Sequence, residues 1–334
     1  MNNQKKKLPI GNAPIKYLMR FFVPLMIAFL NPDEVAGWFY SSHILTKVRR
    51  KTYKLWMIFQ NFNPFILRIP LFFLSSFWLS EKLLMKILKV LIDHNWYILL
   101  HTDFYYLNES IFYQEKHFNH SVLVYGYDLQ ENTVNLCGYC FGSKIKCVDV
   151  NINNFIESFF SCKQNKAWVY RRRKRKKSKF NKRFFYLGVK GYAKSSCPLE
   201  YQVRAKSFSA MFREYYGINA HKQLKNDLVF VLNGEKKDLK LRIYAYLELA
   251  ECMSERLKYL QKDALLKNTE HIIERFDLLK NEYQKMINLF LKYNLTGDKD
   301  LIKRLIVLEN IQSEEEQRLY TELLNIIKVQ YNYK

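Results

Sequence analysis

The stretch YILLHTDFYYLNESIFYQEKHFNHSVLVYGYD, residues 97–128, carries the pattern that decides the fold. Its two ends are short apolar runs rich in Val, Ile, Leu and Tyr, which are typical of β-strands. Similar runs follow it and are separated by polar or glycine-containing turns. The sequence therefore predicts four strands, at residues 97–100, 120–127, 133–139 and 144–150, followed by a capped helix at residues 151–160.

The chain before this predicted sheet favours helices, because apolar residues cluster from residue 15 to residue 91 in runs of helical length. The motif Asn31-Pro32-Asp33-Glu34 predicts a helix start, with the Asn as cap and the Pro at the first helical position. Residues 64–79 also predict a buried helix. Arg68 and Pro70 interrupt this run, and it is shorter than the roughly 18 to 20 apolar residues that a membrane span requires.

The C-terminal third predicts a helical bundle. Apolar residues recur at alternating steps of four and three from residue 239 to 260, and again from residue 272 to 293. Thr296-Gly297-Asp298 interrupts the pattern, which then resumes from residue 301 to 326. A stripe of this regularity is typical of helices packed in a core.

The composition favours a globular, cytoplasmic protein with an acidic partner. Of the 334 residues, 49% are hydrophobic and 25% are charged, which excludes a disordered chain. Six dispersed cysteines do not form a disulfide framework, so we expect reduced thiols. The formal net charge of +23 favours an acidic carrier protein, a nucleic acid or an anionic membrane surface. Solvated basic faces explain this charge equally well.

The densest positive charge is RRRKRKKSK at residues 171–179. Aromatic runs with strand character flank it at residues 168–170 and 184–186, so we predict an exposed basic hairpin. Such a hairpin can bind polyanions through counterion release, stack single-stranded nucleic acid on its aromatics, dock an acidic carrier, or simply remain solvated. The predicted polyanion contacts are Arg171, Arg172, Arg173, Lys174 and Arg175.

The change in composition at this basic run divides the chain into three predicted parts. We predict an α/β domain at residues 1–165, a basic hairpin and connecting region at residues 166–235, and a helical domain at residues 236–334.

His120 is a candidate general base, because it begins an apolar strand that ends in Gly-Tyr-Asp, where it can face a helix-borne nucleophile. A core or surface histidine is the alternative, and it is the more frequent state of a lone histidine. We expect this strand to be central and to face the helix of residues 21–30. The same region offers an alternative: His117-x-x-His120 and Cys137-x-x-Cys140 have spacings compatible with tetrahedral zinc. Cysteines on strands are more often small core residues, so we expect no metal and no cofactor.

The order of these motifs resembles the N-terminal domain of the butirosin biosynthesis protein H family. The matching segments are Asp103-Phe104-Tyr105-Tyr106, Tyr113, residues 117–128 with their His-x-x-x-x-x-Gly-Tyr-Asp spacing, residues 38–44 (WFYSSHI), Tyr216-Gly217-Ile218 and the helices from residue 242 onwards. The resemblance implies an α+β protein, with a papain-like, cysteine-peptidase-like domain and a C-terminal helical bundle. It also implies antibiotic or peptide biosynthesis, with acyl transfer from a carrier protein to an amine through a cysteine thioester.

The cysteine of that family has no counterpart at its usual place. Residues 19–24 (MRFFVP) would carry it, and no Cys occurs before Cys137. The resemblance makes His120 the base and Asn135 the residue that orients it, and Ser41 or Ser42 are alternative nucleophiles. We therefore expect an acyltransferase-like protein that is inactive or uses another nucleophile. The alternative is a non-catalytic binding protein for an acidic carrier protein, a peptide or a nucleic acid.

Overall fold

The computed structural model describes residues 4–15, 19–44, 46–49, 55–57, 63–71, 79–142, 145–162, 167–197 and 214–333. The chain forms two compact units, each built from two stretches of sequence. The first contains Met1–Val35 and Asn63–Lys176, and the second contains Ala36–Phe62 and Lys177–Lys334. The predicted three-part division, with boundaries at residues 165 and 235, stays a prediction.

The first unit is built on an antiparallel sheet of seven described strands. The strands are β1 (Lys5–Lys7), β4 (Ile66–Leu71), β5 (Tyr97–Asp103), β6 (Asn119–Asp128), β7 (Thr133–Gly138), β8 (Lys146–Asn151) and β9 (Ala167–Arg172). Their order in the sheet is β4-β9-β5-β6-β7-β8, and β1 also pairs with β6. Helices α1 (Met19–Ala28), α3 (Glu81–Asp93) and α4 (Ile152–Ser161) contact the strands of this sheet.

Four consecutive strands and the helix after them confirm the local pattern of residues 97–160. Strands β5, β6, β7 and β8 occur in the predicted order. Helix α4 begins after Asn151, whose side chain accepts a hydrogen bond from the backbone N–H of Asn153 at 2.9 Å. This contact satisfies one of the amides that a helix start leaves without a partner. The mixed α+β class is therefore confirmed.

The prediction of a helix at residues 64–79 is wrong where the structure describes it. Residues Ile66–Leu71 form β4, which pairs with β9 at the end of the sheet. Pro70 is compatible with this place, because an edge strand has one side without ladder partners. The Arg68 guanidinium lies over the ring of Trp168 at 5.1 Å. Residues 72–78 of this prediction lie outside the described residues.

The prediction of a basic hairpin is also wrong. Strand β9 leads into the basic run, but the second flank is helix α5 (Lys182–Ala193) rather than a strand. The Asn181 side chain caps this helix by accepting the Phe184 backbone N–H at 3.0 Å. Phe185, Val189 and Tyr192 recur at steps of four and three, so they bury one helical face.

The second unit is mainly helical. Helix α2 (Pro32–Ser42) begins at the predicted motif and enters this unit. The other elements of the unit are β2 (Thr46–Arg49), β3 (Leu55–Met57), β10 (Glu214–Tyr216), α6 (Ala220–Leu232), α7 (Lys240–Lys262), α8 (Glu270–Thr296) and α9 (Lys299–Tyr331), together with α5. The three strands form an antiparallel sheet in the order β10-β2-β3. Helix α9 contacts α5, α6 and α8, and α8 contacts α7.

The three long C-terminal helices confirm the predicted apolar repeats. The break between α8 and α9 lies at Gly297, whose φ of 70° is left-handed and therefore favours glycine. Asp298 then caps α9 by accepting the Asp300 backbone N–H at 2.9 Å. None of the helices in the described part of the chain is long and apolar enough to cross a membrane.

A buried polar network lies in the core of the helical unit. The Glu316 carboxylate accepts hydrogen bonds from the hydroxyls of Tyr192 at 3.1 Å and Tyr283 at 2.9 Å. His221 places Nε2 2.7 Å from Glu316 and Nδ1 2.8 Å from Glu309. Burial opposes protonation of His221, but the two carboxylates raise its pKa to about 10. The buried charges on α6 and α9 thus compensate one another, and tyrosine hydroxyls from α5 and α8 complete the network.

We expect Tyr283→Phe to destabilise the protein. The substitution removes a hydroxyl that donates to the buried Glu316 carboxylate, and hydrogen bonds to charged groups contribute about 1 to 3 kcal/mol. The free energy of unfolding is measured by urea denaturation. Tyr293→Phe, on the same helix at a half-buried position, is the matched control and is expected to change it by less than about 0.5 kcal/mol. Equal losses in the two variants would contradict the role of the network.

Candidate functional site

His120 lies at the start of the interior strand β6, where it pairs with Thr102 of β5. Its Nδ1 is 3.2 Å from the Ser121 carbonyl oxygen, so Nδ1 carries the proton and donates. The ring of Phe118 stacks on the imidazole with centroids 5.7 Å apart, and Phe104 approaches its edge. Burial lowers the His120 pKa. The neutral ring therefore has its basic lone pair on Nε2. That it faces the helix of residues 21–30 stays a prediction.

The thiols of β7 and β8 lie on the opposite face of the sheet from His120. Side chains alternate along β6, so His120 and Leu123 point to different faces. Cys137 pairs directly with Leu123, and Cys147 pairs directly with Cys137. Directly paired residues share a face, so neither of these two cysteines can reach the His120 imidazole through the sheet.

Asn135, the predicted orienting residue, lies far along the strand from His120. It pairs with Gly126 of β6, six residues beyond His120, which corresponds to about 20 Å at the rise of an extended strand. Its Nδ2 donates to Asp149 Oδ1 at 2.6 Å. The structure therefore does not bring Asn135 to His120, because the antiparallel register of β6 and β7 places them at different ends of β6.

A second imidazole, that of His117, is paired with a buried carboxylate. Asp103 ends β5, and its Oδ2 accepts the His117 Nδ1 proton at 2.7 Å. Its Oδ1 accepts the backbone N–H groups of Tyr105 at 3.1 Å and Phe118 at 3.0 Å. The exposed His117 ring stacks on Tyr105, with centroids 4.2 Å apart. This pair is a carboxylate-oriented imidazole, which can act as a base at Nε2.

No sequence pattern predicted the pairing of Asp103 with His117. Both residues lie in segments of the family resemblance, and His117 also belongs to the alternative zinc set. The chain between them folds into turns that return His117 to the end of β5. The spacing of 14 residues gave no local signal for this contact.

The alternative ligands and nucleophiles are engaged in other contacts. Among the described residues, no group of three or more His, Cys, Asp or Glu side chains is arranged to hold a metal ion. Ser41 Oγ donates to the Gly37 carbonyl and accepts the Asn181 N–H at 2.6 Å. Ser42 Oγ donates to the Trp38 carbonyl at 2.9 Å. Both hydroxyls are buried in helix contacts.

The basic segment, residues 171–176 (RRRKRK), is held in place by its first half. Arg172 forms an ion pair with Glu34, and the Arg173 backbone N–H donates to the Phe65 carbonyl at 2.7 Å. The Arg171 guanidinium lies 5.7 Å from the centre of the Trp96 ring. Among the described residues, no carboxylate pairs with the exposed cations of this segment, which are Arg171, Lys174, Arg175 and Lys176.

The helical unit has a cleft of about 490 Å³. It is lined by His221 and Glu309 of the buried network and by the exposed cations Lys222, Lys225 and Arg318. Most of its lining comes from α6 and α9, which are remote in sequence and meet only through tertiary packing, so no local pattern predicts this cleft.

Comparison with known proteins gives no match: no protein-family model matches the chain, and no curated protein sequence matches it.

We expect NMR titration of His120 to give a midpoint below the pKa of about 6.5 of an exposed histidine. Burial disfavours its charged form, and the contact with the Ser121 carbonyl offsets only part of this effect. The His120→Gln spectrum assigns the resonance, and the urea-unfolded chain supplies the reference midpoint. A folded-state midpoint at or above that reference would contradict the buried, neutral imidazole.

Proposed function

We propose that the chain is a butirosin protein H-like protein that binds an acidic carrier protein or peptide through the basic segment, and that it lacks cysteine-dependent acyl transfer at the family's usual place. The observation that carries the proposal is the set of exposed and unpaired cations at residues 171–176. A cytoplasmic location in a specialised-metabolite or peptide pathway is part of the same proposal.

The family assignment is supported by the antiparallel sheet and by the position of His120. A papain-like architecture requires a general base at the start of an interior strand, and His120 begins β6. The C-terminal helices follow in the order that the resemblance implies. The absence of Cys from residues 19–24 is the reason for proposing that the thioester chemistry is missing.

The cations of the basic segment suit a partner with several carboxylates. Ion pairs at a surface are individually weak, so affinity requires several cations at a fixed spacing. Strand β9 and the contacts of Arg172 and Arg173 hold the segment, which reduces the conformational entropy lost on binding. Lys174, Arg175 and Lys176 then follow at consecutive positions, where they can meet a cluster of acidic side chains.

An acidic protein is favoured over single-stranded nucleic acid by the burial of the flanking aromatics. Binding of single strands combines phosphate contacts with exposed rings on which bases stack. Tyr170 and Phe185, which flank the basic run in sequence, are both fully buried, and Tyr186 is nearly so. These three rings are therefore not available to bases, and of the flanking runs only the half-buried Trp168 and Phe184 remain partly accessible.

We expect neutralisation of the exposed cations to weaken binding of a fluorescent polyglutamate peptide by about tenfold or more at low salt, because each surface pair contributes about 0.2 to 1 kcal/mol. The variant replaces Arg171, Lys174, Arg175 and Lys176 with Gln, and fluorescence anisotropy measures the Kd.

The matched control removes the same charge elsewhere by replacing four exposed lysines with Gln, namely Lys82, Lys86, Lys236 and Lys262. Equal loss in both variants would show that only net charge matters and would overturn the proposal. A single-stranded oligonucleotide that binds more tightly than the peptide, and depends on the same four residues, would replace the acidic protein with a nucleic acid as partner.

Acyl transfer is the second candidate, because the neutral His120 ring has the tautomer that a base requires. We expect that the protein, when it is treated with an acyl thioester, does not acquire a stoichiometric, hydroxylamine-labile acyl adduct that requires His120. Intact-mass and peptide mass spectrometry compare the wild type with His120→Ala. An adduct that forms in the wild type and is lost in His120→Ala would restore the acyltransferase function and identify its nucleophile.

A further inference from the structure

Cys137 and Cys147 lie directly opposite each other on adjacent antiparallel strands. Cys137 belongs to β7 and Cys147 to β8, and the register pairs them. Directly opposed residues in such a ladder have Cα atoms about 4.5 to 5.5 Å apart and share a face of the sheet. Disulfides span Cα separations of about 4.4 to 6.8 Å, so the backbone need not move for a bond to form. Both thiols are free.

The two thiols differ in exposure and in charge. Cys147 is exposed, whereas Cys137 is buried. A hydrogen bond from Cys137, a second from Tyr125 and the nearby Lys7 ammonium lower the pKa of Cys147 to about 7, although partial desolvation by neighbouring atoms and Asp149 oppose this shift. The hydrogen bond to Cys147 and burial raise the pKa of Cys137. At neutral pH the pair therefore combines an accessible thiolate with a protonated neighbour.

The geometry points to an oxidation site: we propose that Cys147 reacts with hydrogen peroxide or a related hydroperoxide and that Cys137 then closes a reversible disulfide between β7 and β8. This inference goes beyond the proposed function and does not depend on it, because the thiols lie on different strands from the basic segment.

The reaction has two balanced steps. The Cys147 thiolate attacks one peroxide oxygen, the O–O bond breaks, and the departing hydroxide takes up a proton to become water, leaving a sulfenic acid. The Cys137 sulfur then attacks the Cys147 sulfur, the S–O bond breaks, and the hydroxide leaves as water with the Cys137 proton. Two thiols are oxidised to one disulfide, and one peroxide is reduced to two waters.

The other four cysteines are less accessible than Cys147. Cys140, Cys162 and Cys252 are buried, and burial raises the pKa of Cys140 to about 12. Cys197 is partly exposed and serves as a second thiol to follow in the experiment. Since the thiolate is the reacting species, Cys147 should react about tenfold faster than a thiol of ordinary pKa at neutral pH.

The test treats the full chain with hydrogen peroxide, blocks the remaining thiols by alkylation, and maps the peptides without reduction. We expect a cross-linked peptide pair containing Cys137 and Cys147, reversed by dithiothreitol, while Cys197 remains alkylated. In Cys137→Ala, the oxidation should stop at a sulfenic acid on Cys147 that dimedone traps. In Cys147→Ser, Cys137 should stay reduced. Cys197→Ser is the matched control and should form the disulfide as the wild type does.

Two results would overturn the inference. One is oxidation of Cys147 in the wild type at a rate no greater than that of free glutathione at the same pH. The other is the absence of the cross-linked pair when Cys147 is already oxidised. Both are read from the wild-type chain, so the conclusion does not depend on whether a variant at the buried Cys137 position folds.

Discussion

Strand β6 pairs with β5, β1 and β7, and its register with them determines which side chains can meet anywhere in the sheet. Side chains alternate along a strand, so this register places His120 on one face and Cys137 on the other. A slip by one residue would exchange the faces of every side chain in the strand. Gly126 restricts such a slip. In the observed register it lies opposite Asn135, and a Cβ at this position would lie 2.1 Å from Asn135 Oδ1, so a slip that placed any other residue there would cause a steric clash. The candidate base and the oxidation site both follow from this one constraint.

The Gly-Tyr-Asp that ends β6 has a structural role that requires no catalysis. The glycine leaves room for the Asn135 side chain. The Tyr127 hydroxyl donates to Asp93 at the end of α3, at 2.6 Å. Asp128 forms an ion pair with Lys5 of β1 at 2.6 Å and accepts the N–H groups of the following turn. Residues that carry the family resemblance are thus also those that join β6 to its neighbours. These contacts account for the Gly-Tyr-Asp motif without any catalytic role.

The charges of this protein fall into two groups with different uses. Buried polar groups are satisfied inside each unit: Asp103 accepts hydrogen bonds from His117 and two backbone amides, and His221 lies between two glutamates. Such compensation is required because an isolated charge is costly to bury. Four cations of the basic segment, Arg171, Lys174, Arg175 and Lys176, are instead exposed, and water solvates them. This difference is the reason that the proposed partner is assigned to the basic segment rather than to the buried network.

The sequence by itself determined the elements whose signals are local. The apolar repeats of α7, α8 and α9, the break at Gly297 and the cap at Asn151 depend on residues within a few positions of one another, so periodicity and capping chemistry predict them. Tertiary structure decided the rest. Residues Ile66–Leu71 are a strand because β9 offers them a hydrogen-bonding edge, and α5 is a helix because its apolar face is buried in the helical unit. The separation of Asn135 from His120 and the opposition of Cys137 and Cys147 are set by strand register, which depends on contacts that no local sequence pattern encodes.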